Sequence, residues 1–311
     1  MAGGKYNYPM KGDEPDYPPL VLADNVERHT VTVWSDGIAL DADVYRPKGL
    51  AADAKVPAIV MSHGWGGTKR TAERYGGLFA ANGMIAISFS QTGWGDSAGR
   101  IQVVGDAPEF DENGEATVKI KETRQFVDPT EWVRNYVSAI DYIVGEPNVD
   151  VNRIGAWGTS FGGGVAAYVA ATDPRIKAMA VQVSAMLSLQ GPMLQHATGR
   201  ATAIARGDID PLPAGLDKMP NLTGSVNFGK ALRYDVIAAA ENLNVPSLIM
   251  DAQNEEMFPT AENGGRVAEM LREKGVEVRY ELIDGIDHYG IYFDGYEHGS
   301  KMAVEWFTKY L

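Results

Sequence analysis

The stretch RIGAWGTSFGGGVAAYVAA, residues 153–171, carries three signals in succession. RIGAW is a short apolar run, Gly158-Thr159-Ser160-Phe161-Gly162 forms the pattern G-x-S-x-G, and GGVAAYVAA is a run of small residues suited to a helix. Strand, sharp turn and helix in that order place a serine at the tip of an elbow, the setting of a nucleophile. The glycines have a physical task there. A residue at such a tip adopts an unusual backbone conformation, and its neighbours two before and two after must be small to avoid clashing. The helix that follows aims its N–H groups and the positive end of its dipole at the tip, where negative charge develops in acyl transfer. Ser160 is therefore the expected nucleophile.

The same pattern occurs once more, as Gly95-Asp96-Ser97-Ala98-Gly99 within GWGDSAG, residues 93–99. A short pattern in a chain with 35 glycines arises easily by chance, so context decides. Around Ser97 the context fails: the apolar run MIAISFS (84–90) ends several residues too early, and RIQVVGDAPEFDENGEA after Gly99 has no helical face. Ser97 reads as a loop residue, with Trp94 and Arg100 as contacts if that loop borders the site.

Working outward, further continuous apolar runs appear at 57–62 (PAIVMS), 177–184 (KAMAVQVS), 246–252 (PSLIMDA) and 276–283 (VEVRYELI). Runs without alternation fit strands covered on both faces, hence a parallel sheet. The hairpin signal lies earlier, where alternating residues flank Asp36-Gly37. Helical patterns separate the runs; the clearest is TEWVRNYVSAIDYIVG, with Val133, Val137, Ile140 and Val144 expected on one face after Asp128-Pro129. Alternating strands and helices make the class α/β, with helices on both faces of a mostly parallel central sheet. Residues 186–244 break the rhythm with dispersed Gly and Pro, and are expected to form an inserted cap or lid within a domain spanning 26–311. Residues 1–25, rich in Pro, Tyr and acids, read as an extended arm that packs on the surface or stays mobile.

The net charge is −13, which repels phosphate backbones and anionic lipid headgroups, so neither nucleic acid nor membrane is an expected partner. With no cysteine, disulfides, thiolate metal sites and a thiol nucleophile are excluded together. No apolar run approaches a membrane span and no secretory signal is visible, so a cytoplasmic location is expected. A homo-oligomer is left open.

Serine becomes an effective nucleophile only when an imidazole takes its proton. His288, in LIDGIDHYGIY just after the last strand, fits the chain order Ser, acid, His. His29 lies at the start of the hairpin, His196 in the expected cap and His298 near the C-terminal helix, which disfavours all three. His63, in SHGWGG after the strand PAIVMS, is expected to be structural, but its glycine-rich turn brings the Trp65 N–H toward an oxyanion, with the Phe161 N–H as second donor. The orienting acid should follow PSLIMDA, where Glu255 is favoured over Glu256 and Asp251 because it stands several residues beyond the strand. Met186, Met193, Met219 and Phe228 are candidates to line an apolar substrate pocket.

From about Val26 onward the chain resembles the α/β-hydrolase superfamily, most closely its dienelactone-hydrolase-like and X-Pro-dipeptidyl-peptidase-like branches. SDGIALDADVYRP, MSHGWGGTKR, GWGDSAGR, RIGAWGTSFGGG and GIDHYGIY carry the resemblance. It implies the α/β-hydrolase fold, Ser160 as nucleophile, His288 as base and an acid after the seventh strand that aligns with Glu255. Most relatives carry Asp there. X-Pro relatives draw an oxyanion donor from a tyrosine hydroxyl where this chain has Trp65, so only the backbone N–H is carried over. Dienelactone relatives often use cysteine, which is absent here. The expected activity is hydrolysis of a carboxylic ester or related small acyl compound through an acyl-enzyme, with no metal or organic cofactor. An acyltransferase with the same residues and an X-Pro-type peptidase are the alternatives; a non-catalytic binding module is disfavoured by the coherent Ser, acid and His set.

Overall fold

A computed structural model describes residues 10–11 and 14–311; residues 1–9 and 12–13 of the expected arm lie outside the described residues. The hairpin forms as expected, from β1 (Val26–Ser35) and β2 (Ile38–Pro47). Asp36 and Gly37 both have positive φ, 47° and 79°, which matches the twist that a two-residue hairpin turn requires.

Six further strands complete the sheet: β3 (Val56–Ser62), β4 (Ile85–Phe89), β5 (Val149–Thr159), β6 (Ile176–Gln182), β7 (Ser247–Ala252) and β8 (Val278–Ile283). Their order is β8-β7-β6-β5-β3-β4-β2-β1, with every pairing parallel except β1–β2 and β2–β4. The apolar runs are continuous because the strands are covered on both sides. All five residues of β4 and all six of β7 are buried.

One face carries α2 (Pro129–Val144), α3 (Phe161–Thr172) and α5 (Gly264–Glu273), packed into a core with Trp132, Val165 and Val267. The other carries α1 (Glu73–Ala81) and α6 (Tyr296–Tyr310), around Phe79, Trp157 and Phe307. Helix α2 starts where expected: Asp128 caps it by accepting from the N–H groups of Thr130 and Glu131, and Pro129 follows. Its buried face is rotated from the expected valine line. Trp132, Tyr136, Ala139, Ile140 and Ile143 are buried, while Val133, Val137 and Val144 are only partly so. The aromatic pair buries more area, and the Tyr136 hydroxyl donates to the Val60 carbonyl at 2.6 Å, so it has a partner where it is buried.

Between β6 and β7 the chain forms α4 (Gly191–Arg206), in which only Ala197 is buried, and short helices at Phe228–Ala231 and Val236–Ala239. This segment is tied to the body by a parallel pairing of Ser225–Val226 with Phe126–Val127. A second hairpin, Arg100–Val104 with Lys119–Thr123, follows the Ser97 loop. The described part of the arm packs down: Leu20 and Leu22 lie against Gly77 of α1. Among the described residues, no helix is long and apolar enough to cross a membrane.

Candidate active site

Strand order reverses around β3, since β4 lies on one side of it and β5 on the other. At such a switch point the loops leaving adjacent parallel strands diverge and open a crevice at the carboxyl edge of the sheet. The loops after β3 and β5 are His63–Gly67 and the Ser160 elbow. Ser160 has φ 53° and ψ −127°, a strained conformation for a residue with a side chain. The strain is held by close packing. A Cβ on Gly158 would collide with the Gly162 carbonyl, one on Gly162 with the His63 carbonyl, and one on Gly64 would approach Ser160 Cβ to 2.8 Å. The Ser160 N–H donates to the Gln182 carbonyl at 3.0 Å, and its carbonyl accepts from Gly163, Gly164 and Ala185.

This geometry leaves the Ser160 hydroxyl facing His288, whose Nε2 lies 3.1 Å from Oγ. His288 Nδ1 in turn lies 2.9 and 2.8 Å from the two carboxylate oxygens of Glu255. The His288 and Glu255 side chains are 2% and 1% exposed, so this pair is shielded from water and its electrostatic coupling is strong. Glu255 is further fixed by the Met257 N–H, which donates to Oε1 at 3.0 Å. Phe258 and Tyr289 meet the imidazole edge to face.

The three acids considered from sequence have separate environments. Glu256 accepts from the backbone N–H of His288 at 3.0 Å and does not touch the ring. Asp251 lies within β7, fully buried, and accepts from the Tyr280 hydroxyl at 3.1 Å; burial raises its pKa to about 7. The structure thus brings Ser160, His288 and Glu255 together and keeps Asp251 apart.

His63 is buried. Its Nδ1 pairs with the Gly64 carbonyl at 2.7 Å, and its Nε2 accepts from the Gln91 N–H at 3.0 Å, which fixes the loop after β3. Burial lowers its pKa to about 4, so it stays neutral. Trp65 and Phe161 are adjacent, with ring centroids 5.9 Å apart and nearly perpendicular. Neither backbone N–H has a hydrogen-bond partner among the described residues. The Trp65 indole donates to the Thr223 carbonyl at 2.6 Å, linking the β3 loop to the segment between β6 and β7.

A small cavity of about 20 Å³ opens beside Ser160 and His288, bordered by Tyr17, Thr71, Tyr289 and Tyr292. Sequence reading missed these tyrosines. Tyr289 and Tyr292 were accessible through their place in HYGIY, whereas Tyr17, in the arm, carries no local signal. Behind the elbow, Thr159 Oγ1 pairs with the Tyr292 hydroxyl at 2.7 Å, and Gln182 joins this pair to Tyr75. Of the four candidate pocket residues, Met193, Met219 and Phe228 line a second cavity with Trp65 and Phe161; Met186 is packed in the core and does not border it. Trp94 and Arg100 border neither cavity. Trp94 is buried and donates to the Phe126 carbonyl, and Arg100 pairs with Glu131. No group of three or more His, Cys, Asp or Glu able to hold a metal stands together among the described residues.

An eight-stranded sheet of this order, with a strained serine at the elbow after its central strand and a histidine after its last, defines an α/β-hydrolase. The comparisons agree. The X-Pro dipeptidyl-peptidase (S15) family matches residues 36–212 and the prolyl oligopeptidase family residues 128–311, each more than half of the chain. The chain belongs with these families among the serine hydrolases of the α/β-hydrolase superfamily. The quorum-quenching protein AidA of Acinetobacter baumannii is 32% identical over 153 residues, 48% of this chain but only 41% of AidA. A solved structure of the hypothetical protein PA2218 from Pseudomonas aeruginosa superposes with a TM-score of 0.67 at 18% identity, covering 94% of this chain and 96% of that one. Est1E from Butyrivibrio proteoclasticus, solved with ferulic acid bound, gives 0.61 at 18% identity over 89% of this chain and 99% of its own.

Proposed function

We propose that the chain hydrolyses a carboxylic ester or related small acyl compound, with Ser160 as nucleophile, His288 as general base and acid, and Glu255 as the orienting acid. The observation that carries this reading is the unbroken line from Ser160 Oγ through His288 to Glu255, at 3.1 Å and 2.8–2.9 Å. As Oγ attacks the carbonyl carbon, Nε2 takes its proton. Glu255 holds the Nδ1–H tautomer and stabilises the imidazolium. The oxyanion is received by the unpaired N–H groups of Trp65 and Phe161. The leaving alcohol takes the proton back from Nε2, and water then resolves the acyl-enzyme by the same route. Residues 186–244 serve as the cap that shapes the acyl side of the site.

A peptidase of the X-Pro kind is the second reading, favoured by the family matches. A dipeptidyl substrate carries a free ammonium, which calls for a carboxylate near the nucleophile. Among the described residues no acidic side chain borders the cavity at Ser160, which supports the ester. The test compares kcat/KM for methyl butyrate, followed by acid release, with that for glycyl-prolyl-4-nitroanilide. The ester is expected to be the better substrate by on the order of 10² or more, since a buried charged group left unpaired costs about 3 kcal/mol or more. Cleavage of the anilide alone would reverse the assignment.

A further inference from the structure

Two cavities meet at Trp65, and their chemistry differs. The one beside Ser160 and His288 has a volume of about 20 Å³ and is lined by hydroxyl-bearing residues, Tyr17, Thr71, Tyr289 and Tyr292. The other has a volume of about 150 Å³ and is walled by Trp65, Phe161, Met193, Met219, Val226 and Phe228, with no charged side chain among the described residues on its lining. Phe161 is held edge to face between Trp65 and Trp132, and Trp65 is held by Thr223, so the wall is built from packed rings.

The direction of the reaction assigns one part of the substrate to each cavity. A carbonyl carbon bonded to Ser160 Oγ carries three other substituents. Its oxygen points to the N–H groups of Trp65 and Phe161. Its leaving oxygen must lie near His288 Nε2 to collect the proton, which places the alcohol beside the tyrosines. The acyl chain takes the remaining direction, on the side where the Trp65 and Phe161 side chains border the larger cavity.

We propose that the cavity behind Trp65 is the acyl-chain site, and that the substrates are esters joining an uncharged apolar acid of about six carbons to a small alcohol. An apolar cavity of about 150 Å³ accepts a guest of about that carbon count. This assignment rests on the hydrolase reading above. Its chemistry balances: the Oγ–acyl bond forms as the acyl–alcohol bond breaks, the serine proton leaves with the alcohol, and water supplies the hydroxyl of the released acid. The cavity also explains a composition that the fold alone does not require. Met193 comes from α4, in which only Ala197 is buried, and Met219 from the chain beyond it, and flexible thioethers adapt to chains of varied shape.

The experiment measures kcat/KM for methyl esters from acetate to decanoate on the full chain and on Met219→Trp and Met219→Ala. Each methylene entering an apolar site contributes about fourfold, so hexanoate should exceed acetate by on the order of 10². Filling the cavity with Met219→Trp should cut the hexanoate-to-acetate ratio at least tenfold, and Met219→Ala should move the optimum to longer acids. A flat series, or a ratio unchanged in both variants, overturns the proposal. Failure of the hydrolase reading looks different: no ester is turned over at all. In that event thermal shift of Ser160→Ala with hexanoate or acetate decides. Stabilisation by hexanoate alone, lost in Ser160→Ala/Met219→Trp, supports the acyl site, and no shift with hexanoate refutes it.

Discussion

Ser97 and Ser160 sit in the same five-residue pattern and in opposite chemical situations. Ser97 is wholly buried; its Oγ accepts from the Asp41 N–H at 2.8 Å and donates to the Ser90 carbonyl at 2.7 Å, so its one proton is committed to the backbone. Ser160 is partly exposed, and the partner of its Oγ is an imidazole nitrogen. Both loops need their glycines. Gly95 has φ 52°, and a Cβ on Gly99 would collide with the Thr123 carbonyl, just as one on Gly162 would collide with that of His63. The glycines of the pattern report tight backbone, which both loops have. What separates them is the element that follows. After Ser160 a helix begins at once, forcing the strained φ at the tip, whereas after Ser97 the chain enters an exposed hairpin.

The comparison can be broken at several levels of effect. The largest follows from Glu255→Gln, which preserves shape while removing the charge proposed to hold and stabilise the imidazolium of His288. On methyl butyrate, kcat should fall by about 10⁴, the loss typical when the acid of such a set becomes its amide. Glu256→Gln, which alters only the acceptor of a backbone N–H, should stay within about tenfold of the unmodified protein, consistent with loss of a single hydrogen bond. Equal losses in the two variants would mean that the acid has been misassigned.

A smaller effect tests the other serine. Ser97→Ala leaves the partly buried Asp41 N–H without its partner, at a cost of about 1–3 kcal/mol. In a chain of this size that corresponds to a fall in Tm of roughly 1–5 °C. Because Ser97 acts on the backbone of β2 and not on substrate, kcat/KM should remain within about threefold. A loss of activity comparable to that of Glu255→Gln, with Tm unchanged, would contradict the structural role.

Much of this was legible in the sequence because burial writes itself into composition. The strands β3 to β7 lie under helices on both faces, so apolar runs located them, and Asp36-Gly37 located the hairpin turn through its positive φ. The Arg100–Val104 and Lys119–Thr123 strands were missed for the converse reason. Ile101, Val103 and Ile120 are exposed, so no buried face imposed a pattern. The face of α2 was misjudged by counting valines, when the aromatic rings of Trp132 and Tyr136 decide which side is buried. In the site, Glu255 could be preferred to Asp251 by position alone: a residue inside a buried strand is held among the sheet's own neighbours, here Tyr280, while one beyond the strand is free to reach a loop histidine. Tyr17 was not legible, because a contact made from an arm of irregular conformation depends on tertiary packing and leaves no periodicity.

The central claim is that context, and not pattern, makes Ser160 the reactive serine. Its most direct test is labelling with a serine-directed fluorophosphonate probe, followed by peptide mapping, in the unmodified protein, Ser160→Ala and Ser97→Ala. The account predicts label on the peptide containing Ser160 in the unmodified protein and in Ser97→Ala, and none in Ser160→Ala. Label on Ser97, or an unlabelled Ser160 in protein that still hydrolyses esters, would contradict it.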